Sequence, residues 1–352
     1  MIGIIGGGVA AAKTVEAYRE AGGDERIVLV SSDPRPPYNR PPLSKRLLRG
    51  ETKPQDALVH PPEWYAENNV DLRLGTRVEA LDDLGADRVV LATGSRPRPL
   101  DGALVLRTIE NSLELRRRAL EAKTATVIGG GFIGSEVTAS LTQLGVRVTQ
   151  VVRDPLIFAA LQAPPLSEAL HDLYRERGVD LRLESTDAPE SDMKVAGIGV
   201  ELNLELARDA GLEVKSGVVV NDRFESSRPG VYAVGDIAEF YDPLYGRHRR
   251  IEHWSTATYH GTQLGKVLAG DEQARYDTVS SFFSEVFGYG IRLFGDFTGH
   301  ESLEVEGDFG AGKAIGRYRR DGHTIAAVTT GQDDAAHDAL RGEIRAGAAS
   351  DG

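Results

Sequence analysis

The sequence predicts an α/β protein: two strand–glycine turn–helix units, each opening a βαβ arrangement, followed by a C-terminal α+β portion. Three observations predict it. The runs IGII (2–5) and ATVI (125–128) each end in a glycine cluster that leads into a stretch of helical character. Each is followed by a glycine and a second β-rich run, RIVLV (26–30) and VRVTQVV (146–152), at the length a βαβ unit requires. Between Tyr276 and Thr330, the runs SFFSEVF, IRLFGDF, KAIGRYRR and TIAAVTT read as a third, α+β unit, and the tail beyond Thr330 reads as a helix with a frayed end.

Length and composition narrow the class. A chain of 352 residues exceeds what one core ordinarily organises, so two or three domains are expected. A hydrophobic fraction of 41% is that of a globular protein, and no apolar run approaches the roughly eighteen residues that would cross a bilayer. The strand-like run starting at Ile2 leaves no stretch that reads as a signal or transit peptide, so a cytoplasmic location without membrane association is expected. The net charge of −12 argues against a nucleic-acid binder. Short basic runs stand at Arg116–Arg118, in GRHRRIEHW (246–254) and in GRYRR (316–320). Most such runs are solvated faces; Arg247–Arg250 leans towards an acidic protein partner, against the overall charge. There is no cysteine, which excludes a disulfide, a zinc–thiolate site, a protein-bound iron–sulfur cluster and a catalytic thiol. Redox chemistry in this chain must be carried by a bound cofactor.

The glycine turns carry the chemistry. Gly6, Gly8 and Ala11 fit G-x-G-x-x-G/A directly after a strand, and Gly129, Gly131 and Gly134 match it in full. The first position permits the tight turn and the second lets the backbone approach a pyrophosphate. The third keeps helix and strand close, while the helix N-terminus offers free N–H groups and its positive dipole end. One such motif is a weak signal; two in βαβ settings point to two dinucleotide sites. In a cysteine-free chain they suggest an electron relay, in which a nicotinamide donates hydride and a flavin receives it.

Three further stretches surround these turns. PPYNRPPLSK (36–45) is a stiff loop ending in Ser and Lys, VVLATGSRPRP (89–99) is a strand stopping at Thr-Gly, and GVYAVGDIA (230–238) is a strand stopping at Gly-Asp. In this order around a second glycine fingerprint, the chain resembles the FAD-dependent NAD(P)H:ferredoxin reductases. These reductases feed Rieske dioxygenases and cytochrome monooxygenases, and are related to apoptosis-inducing factor and more distantly to glutathione reductase. The resemblance spans nearly the whole chain, including VAGIG (195–199), EHW (252–254) and SFFSEVFG (281–288 with Ser280 before it), which is similar to the family's aromatic-Ser-acid signature.

The resemblance implies a glutathione-reductase-like architecture: two Rossmann-like dinucleotide-binding domains plus a C-terminal α+β domain. The FAD domain would comprise residues 1–108 and 216–274, the nicotinamide domain 109–215, and the C-terminal domain 275–352. It also implies roles. Arg40 would hold the FAD pyrophosphate, and Thr93 and Gly94 would pass close to the adenosine side. Val78 would be a further FAD contact. Asp236 would bind the ribityl chain and pyrophosphate, with the helix after it pointing its N-terminus at the flavin pyrimidine ring, and Trp254 would lie at the flavin edge. Lys45 would sit beside flavin N5, paired with Glu136. A fixed positive charge there stabilises the negative charge the ring gains, and a buried lysine needs a carboxylate partner.

Four departures from the family pattern stand out. The acid expected to bind the adenine ribose falls at Ser32, with Asp33 one place later as its substitute. At the second site, NAD enzymes carry an acid at the end of the second strand; here Val152 stands there, followed by Arg153. An arginine fork welcomes a 2′-phosphate, which predicts a preference for NADPH over NADH. The segments 71–94 and 180–199 are abbreviated, so smaller sheet layers are expected. Finally, the signature aromatic is Phe283, where the family usually has Trp.

The expected function is hydride transfer from NADPH (or NADH) to FAD and then single-electron transfer to a ferredoxin-type iron–sulfur protein, by a monomer or homodimer. An NAD(P)H oxidase or quinone reductase, and a redox-sensing binding protein of the apoptosis-inducing-factor kind, are the alternatives.

Overall fold

The structure, a computed structural model, describes residues 1–348. Its first layer is a five-stranded parallel sheet in the order Val231–Ala233, Arg88–Leu91, Ile2–Ile5, Ile27–Val30, Val70–Arg73. Strands Ile2–Ile5 and Ile27–Val30 are apolar throughout and buried on both faces, as parallel strands covered on two sides must be. The helix Val9–Glu20 returns from the first glycine turn and packs along the helix Trp254–Leu268, with Val15 and Leu264 in one core.

The abbreviated segment after the third strand explains itself here. It forms a single 3₁₀ turn, Leu81–Leu84, rather than a sheet layer. Leu84 lies so close to Gly3 of the central strand that a Cβ there would sit 2.8 Å from its Cδ1. Leu81 and Val78 are buried beside it in the same core. One turn thus covers the face of the sheet.

The second layer is a four-stranded parallel sheet in the order Asp180–Arg182, Arg147–Val151, Thr124–Ile128, Met193–Ala196. Its glycine turn leads into the helix Phe132–Gln143. The two layers are joined by an antiparallel pair, Ser95–Pro97 with Val200–Leu202. Beyond that pair, Leu204, Ala207 and Leu212 pack into the core of the first sheet, not the second. A small sheet of Val218–Val220, Ala238–Asp242 and Arg247–Arg249 flanks the first layer.

The C-terminal portion is a five-stranded antiparallel sheet in the order Ser281–Val286, Tyr289–Gly295, His323–Thr330, Lys313–Arg320, Ser302–Asp308, backed by the helix Asp334–Ala348. The four expected runs are all strands. The fifth, SLEVEGD, escapes sequence reading because it is a charged, exposed edge strand. The frayed end expected for the tail falls on residues 349–352, outside the described residues.

Candidate active site

The first glycine turn is built as the spacing demands. Gly6 has φ +131°, and a Cβ on it would stand 2.1 Å from the Ala92 carbonyl oxygen, so only glycine lets the strand end pass. Ala11 is fully buried against the sheet. Gly8 caps the helix Val9–Glu20, and the Arg40 guanidinium lies over it, 3.2 Å from where a Cβ would be. Asp236 completes this corner: its carboxylate accepts from Ser95 Oγ at 2.8 Å and pairs with Arg107 at 3.1 Å.

Arg40 and Arg107 each bury an Nε that has no hydrogen-bond partner among the described residues. Burial, followed by the neighbouring Arg107 charge, pushes Arg40 down to about 10. Burial opposes ionisation of Asp236, but Arg107, Ser95 and Arg40 together hold it below the usual carboxylate range. Two guanidiniums with unmet donors beside a helix N-terminus fit a diphosphate, because unpaired buried donors are costly and a bidentate anion satisfies them. Arg107 escaped the sequence reading: it stands in VLRTI, ahead of the Thr108 cap of the next helix, with no motif around it.

The other expected contacts of this site are placed as follows. Gly94 follows the strand end at φ +63° and faces Arg107 Nη2, while Thr93 Oγ1 turns away to donate to the Asn203 carbonyl at 2.7 Å. Asp33 lies in the loop beyond the second strand and accepts from Tyr38 OH at 2.7 Å and from the Arg35 N–H at 3.0 Å. Val78 is buried in the core of the first sheet. One expectation is corrected. No helix directly follows Asp236; a 3₁₀ turn, Gly235–Ile237, runs into the strand Ala238–Asp242. The helix whose N-terminus meets this corner starts at Trp254, brought back by the intervening hairpin, and its buried His260 accepts the Gly235 N–H at 3.3 Å.

Trp254 Nε1 donates to Asn39 Oδ1 at 2.8 Å, and its ring stands edge-on to Phe283 at 6.0 Å. His253 caps this helix, its Nδ1 accepting from the Ser255 N–H at 3.1 Å. That assignment puts the imidazole proton on Nε2, which donates to the Phe283 carbonyl at 3.2 Å. Burial pushes His253 down to about 4, so the ring is neutral at pH 7.

Lys45 and Glu136 meet at 2.6 Å, with side chains 13% and 6% exposed. The lysine is held in place from behind: Ser140 Oγ donates to the Ser44 carbonyl at 2.6 Å, and Ser112 Oγ to that of Leu43 at 2.7 Å. Both serines come from helices packed on the loop, Phe132–Gln143 and Ile109–Glu121. Glu136 also accepts from Ser44 Oγ on Oε2 and from Ser284 Oγ at 2.7 Å on Oε1.

At the second turn, Gly129 has φ +121° and Gly134 packs so tightly that a Cβ would stand 2.4 Å from the Gly129 oxygen. Gly131 caps the helix and opens onto free space, with no atom within 4 Å of a Cβ. The buried Gln150 Nε2 donates to the Gly129 carbonyl at 3.0 Å, a brace that no motif announces. Val152 is buried beneath Gly130, and Arg153 is exposed, without an ion pair among the described residues. A cleft of about 550 Å³ lies between Phe132, the hairpin residues leading to His253, and Phe282 and Asp296 of the C-terminal portion; none of the second turn's glycines lines it.

The basic stretch 247–250 does not present a free cationic patch. Arg247 pairs with Asp296, and Arg250 with Glu252. Arg249, 7% exposed, bridges Asp242 at 2.6 Å and Asp296 at 3.1 Å. These charges seam the hairpin to the C-terminal sheet. Among the described residues no cluster could hold a metal ion, and no helix is long and apolar enough to cross a membrane.

Two dinucleotide turns around a buried Lys–Glu pair, with no thiol in the chain, define a two-nucleotide oxidoreductase. Comparison with known proteins identifies its kind: the chain belongs to the pyridine nucleotide-disulphide oxidoreductase family, whose description matches residues 2–187 and 183–261. It is a flavoprotein oxidoreductase of the FAD- and NAD(H)-using type. It is 34% identical to the ferredoxin–NAD(+) reductase component of the anthranilate 1,2-dioxygenase system of Burkholderia cepacia, over 99% of this chain and 95% of that one. It is 32% identical to putidaredoxin reductase of Pseudomonas putida, over 93% and 87%. The solved covalent putidaredoxin reductase–putidaredoxin complex superposes with a TM-score of 0.92 at 30% identity, covering 98% of this chain and 93% of that one.

Proposed function

We propose that this chain is a FAD-dependent NAD(P)H:ferredoxin reductase that prefers NADPH and works in the cytoplasm. The observation that carries the reading is the buried Lys45–Glu136 pair between two dinucleotide turns in a chain without cysteine. The ferredoxin-reductase relatives support it.

FAD belongs on the first layer, and it supplies a ring that accepts hydride from a nicotinamide and releases electrons one at a time. The Gly8 helix N-terminus, Arg40 and Arg107 bind its diphosphate, and Asp236 orients the chain between diphosphate and ring. Trp254 limits the ring edge. Lys45 supplies the positive charge at the hydride-accepting end, and Glu136 keeps that charge fixed; neither transfers a proton. The nicotinamide nucleotide would be held on the second layer, with its diphosphate at the Gly129–Gly134 turn and its reactive end towards Lys45.

The NADPH preference is supported by Val152 and Arg153. An acid that would accept a ribose 2′-hydroxyl is missing at the strand end, and an unpaired guanidinium stands next to it. The Burkholderia cepacia relative named above is a ferredoxin–NAD(+) reductase component, so the preference rests on these two positions alone.

Anaerobic mixing of the yellow protein with NADPH or NADH, then titration with a two-iron ferredoxin, tests the whole reading. Rapid bleaching and re-oxidation by ferredoxin are expected, with kcat/KM higher for NADPH and the order reversed in Arg153→Glu. A clear NADH preference sinks the nucleotide assignment. Turnover with quinone or oxygen but none with ferredoxin moves the chain to the oxidase reading, and slow bleaching that drives dimerisation moves it to the sensor reading.

A further inference from the structure

The Glu136 carboxylate is a three-way junction. Lys45 and Ser44 reach it from the loop that joins two strands of the first sheet and packs on the core of the second, Glu136 itself stands on the helix of the second, and Ser284 comes from the first strand of the C-terminal sheet. Lys45 and Ser44 both occupy Oε2, while Ser284 alone holds Oε1. A carboxylate bonded on one oxygen rotates freely about its last torsion; bonded on both, it is fixed. Ser284 is 2% exposed, so its hydroxyl is a buried donor.

The strand that carries Ser284 is itself fixed to the flavin-edge helix. His253 Nε2 lies 3.2 Å from both the carbonyl and the N–H of Phe283, the residue before Ser284. The imidazole cap of the Trp254 helix therefore sets the height of the strand, and the strand sets the serine. Farther along, Arg249 ties the same sheet to the hairpin through Asp296 and Ser280.

We propose that Ser284 is a positioning residue: it fixes the Glu136 carboxylate, and through it the Lys45 ammonium, so that the electrostatics of the flavin site depend on the C-terminal sheet. This rests on the reading that Lys45 and Glu136 flank the flavin ring. Without the serine hydroxyl, Oε1 is a buried acceptor with no donor, and Glu136 turns to find one. Lys45 follows its partner, and the positive charge moves off the hydride-accepting end.

The test measures the midpoint potential of the bound flavin and the rate of its reduction by NADPH in four holoproteins: wild type, Ser284→Ala, Ser284→Thr and Lys45→Met. Ser284→Ala is expected to lower the potential and slow reduction about tenfold, the worth of one buried charge-assisted hydrogen bond, with KM for the nucleotide little changed, FAD retained and Tm lower by a few degrees. Ser284→Thr, which keeps the hydroxyl, is expected to restore both. If Lys45→Met shifts the potential and Ser284→Ala does not, the proposal is overturned while the underlying site reading stands. If neither shifts it, the pair is not beside the flavin and both fall. A Ser284→Ala effect seen only as a lower Tm and lost FAD also overturns the proposal, because that is packing alone.

Discussion

Lys45 Nζ lies 2.6 Å from the Glu136 carboxylate, although the residues stand in different nucleotide units and are far apart in the chain. The pair costs desolvation of both charges, and its mutual attraction and the two serine donors offset that cost. A buried ion pair is weak evidence of a role in stability. It is better evidence of a role in setting the local field.

Removing the charge therefore affects chemistry before binding. Lys45→Met should slow flavin reduction by NADPH at least about a hundredfold, and Glu136→Gln about tenfold, with FAD still bound after gel filtration. Stopped-flow absorbance under anaerobic conditions reads both. Wild-type rates in Lys45→Met would remove the lysine from the mechanism.

The second glycine turn separates two roles that a motif lumps together. Gly131→Ala adds a methyl into open space, so the protein should fold normally while the nucleotide KM rises severalfold. Gly134→Ala drives a methyl into the Gly129 carbonyl oxygen and should cost about 1–3 kcal/mol of stability, seen as a lower Tm. Equal effects of the two substitutions would contradict this division.

Arg249 is a structural cation. Arg249→Met leaves Asp242 and Asp296 facing each other without their shared partner and should cost roughly 3–5 kcal/mol in urea unfolding. Arg247→Met, half exposed and on the rim of the same seam, should cost under about 1 kcal/mol.

Acid should weaken the fold in a defined window. Burial pushes His253 down to about 4 and His260 to about 3, both from an ordinary value near 6.5. The unfolded chain then binds more protons than the folded one, so stability is lost as pH falls below about 6.5, and the His253 contribution saturates near 4. Tm should fall by several degrees between pH 7 and pH 4.5, and His260→Gln should flatten that slope. A Tm independent of pH across this window would show that these imidazoles charge freely in the folded state.

What the sequence discloses follows physical reach. The glycine turns are local: each needs a strand, a bare backbone and a helix start within about a dozen residues, and all three are visible in IIGGGVAAA and VIGGGFIGSE. The pairing of Lys45 with Glu136 is not local, and residue resemblance disclosed it, not periodicity. Arg107 and Gln150 remained hidden because their work is done across the fold, on Asp236 and the Gly129 carbonyl, with nothing nearby to mark them. In the run of Arg247, Arg249 and Arg250, only the reach of the first two to Asp296 crosses the fold; Arg250 pairs with Glu252 two residues on. In the chain the run reads as a charged surface; in the fold its partners arrive from Asp242, Glu252 and Asp296.

The single turn Leu81–Leu84 has a meaning beyond economy of length. Leu84 and Ala86 cover Gly3 of the central strand, while Asp82 and Asp83 stay exposed at the tip. The turn is also pinned from outside: Asp83 Oδ2 accepts the Ala80 N–H at 2.8 Å, and Asp82 pairs with Arg228 at 3.1 Å. Residues inserted between Asp82 and Asp83 would split this cap and lift Leu84 off the central strand, so the short turn is a part of the scaffold and not a spare loop.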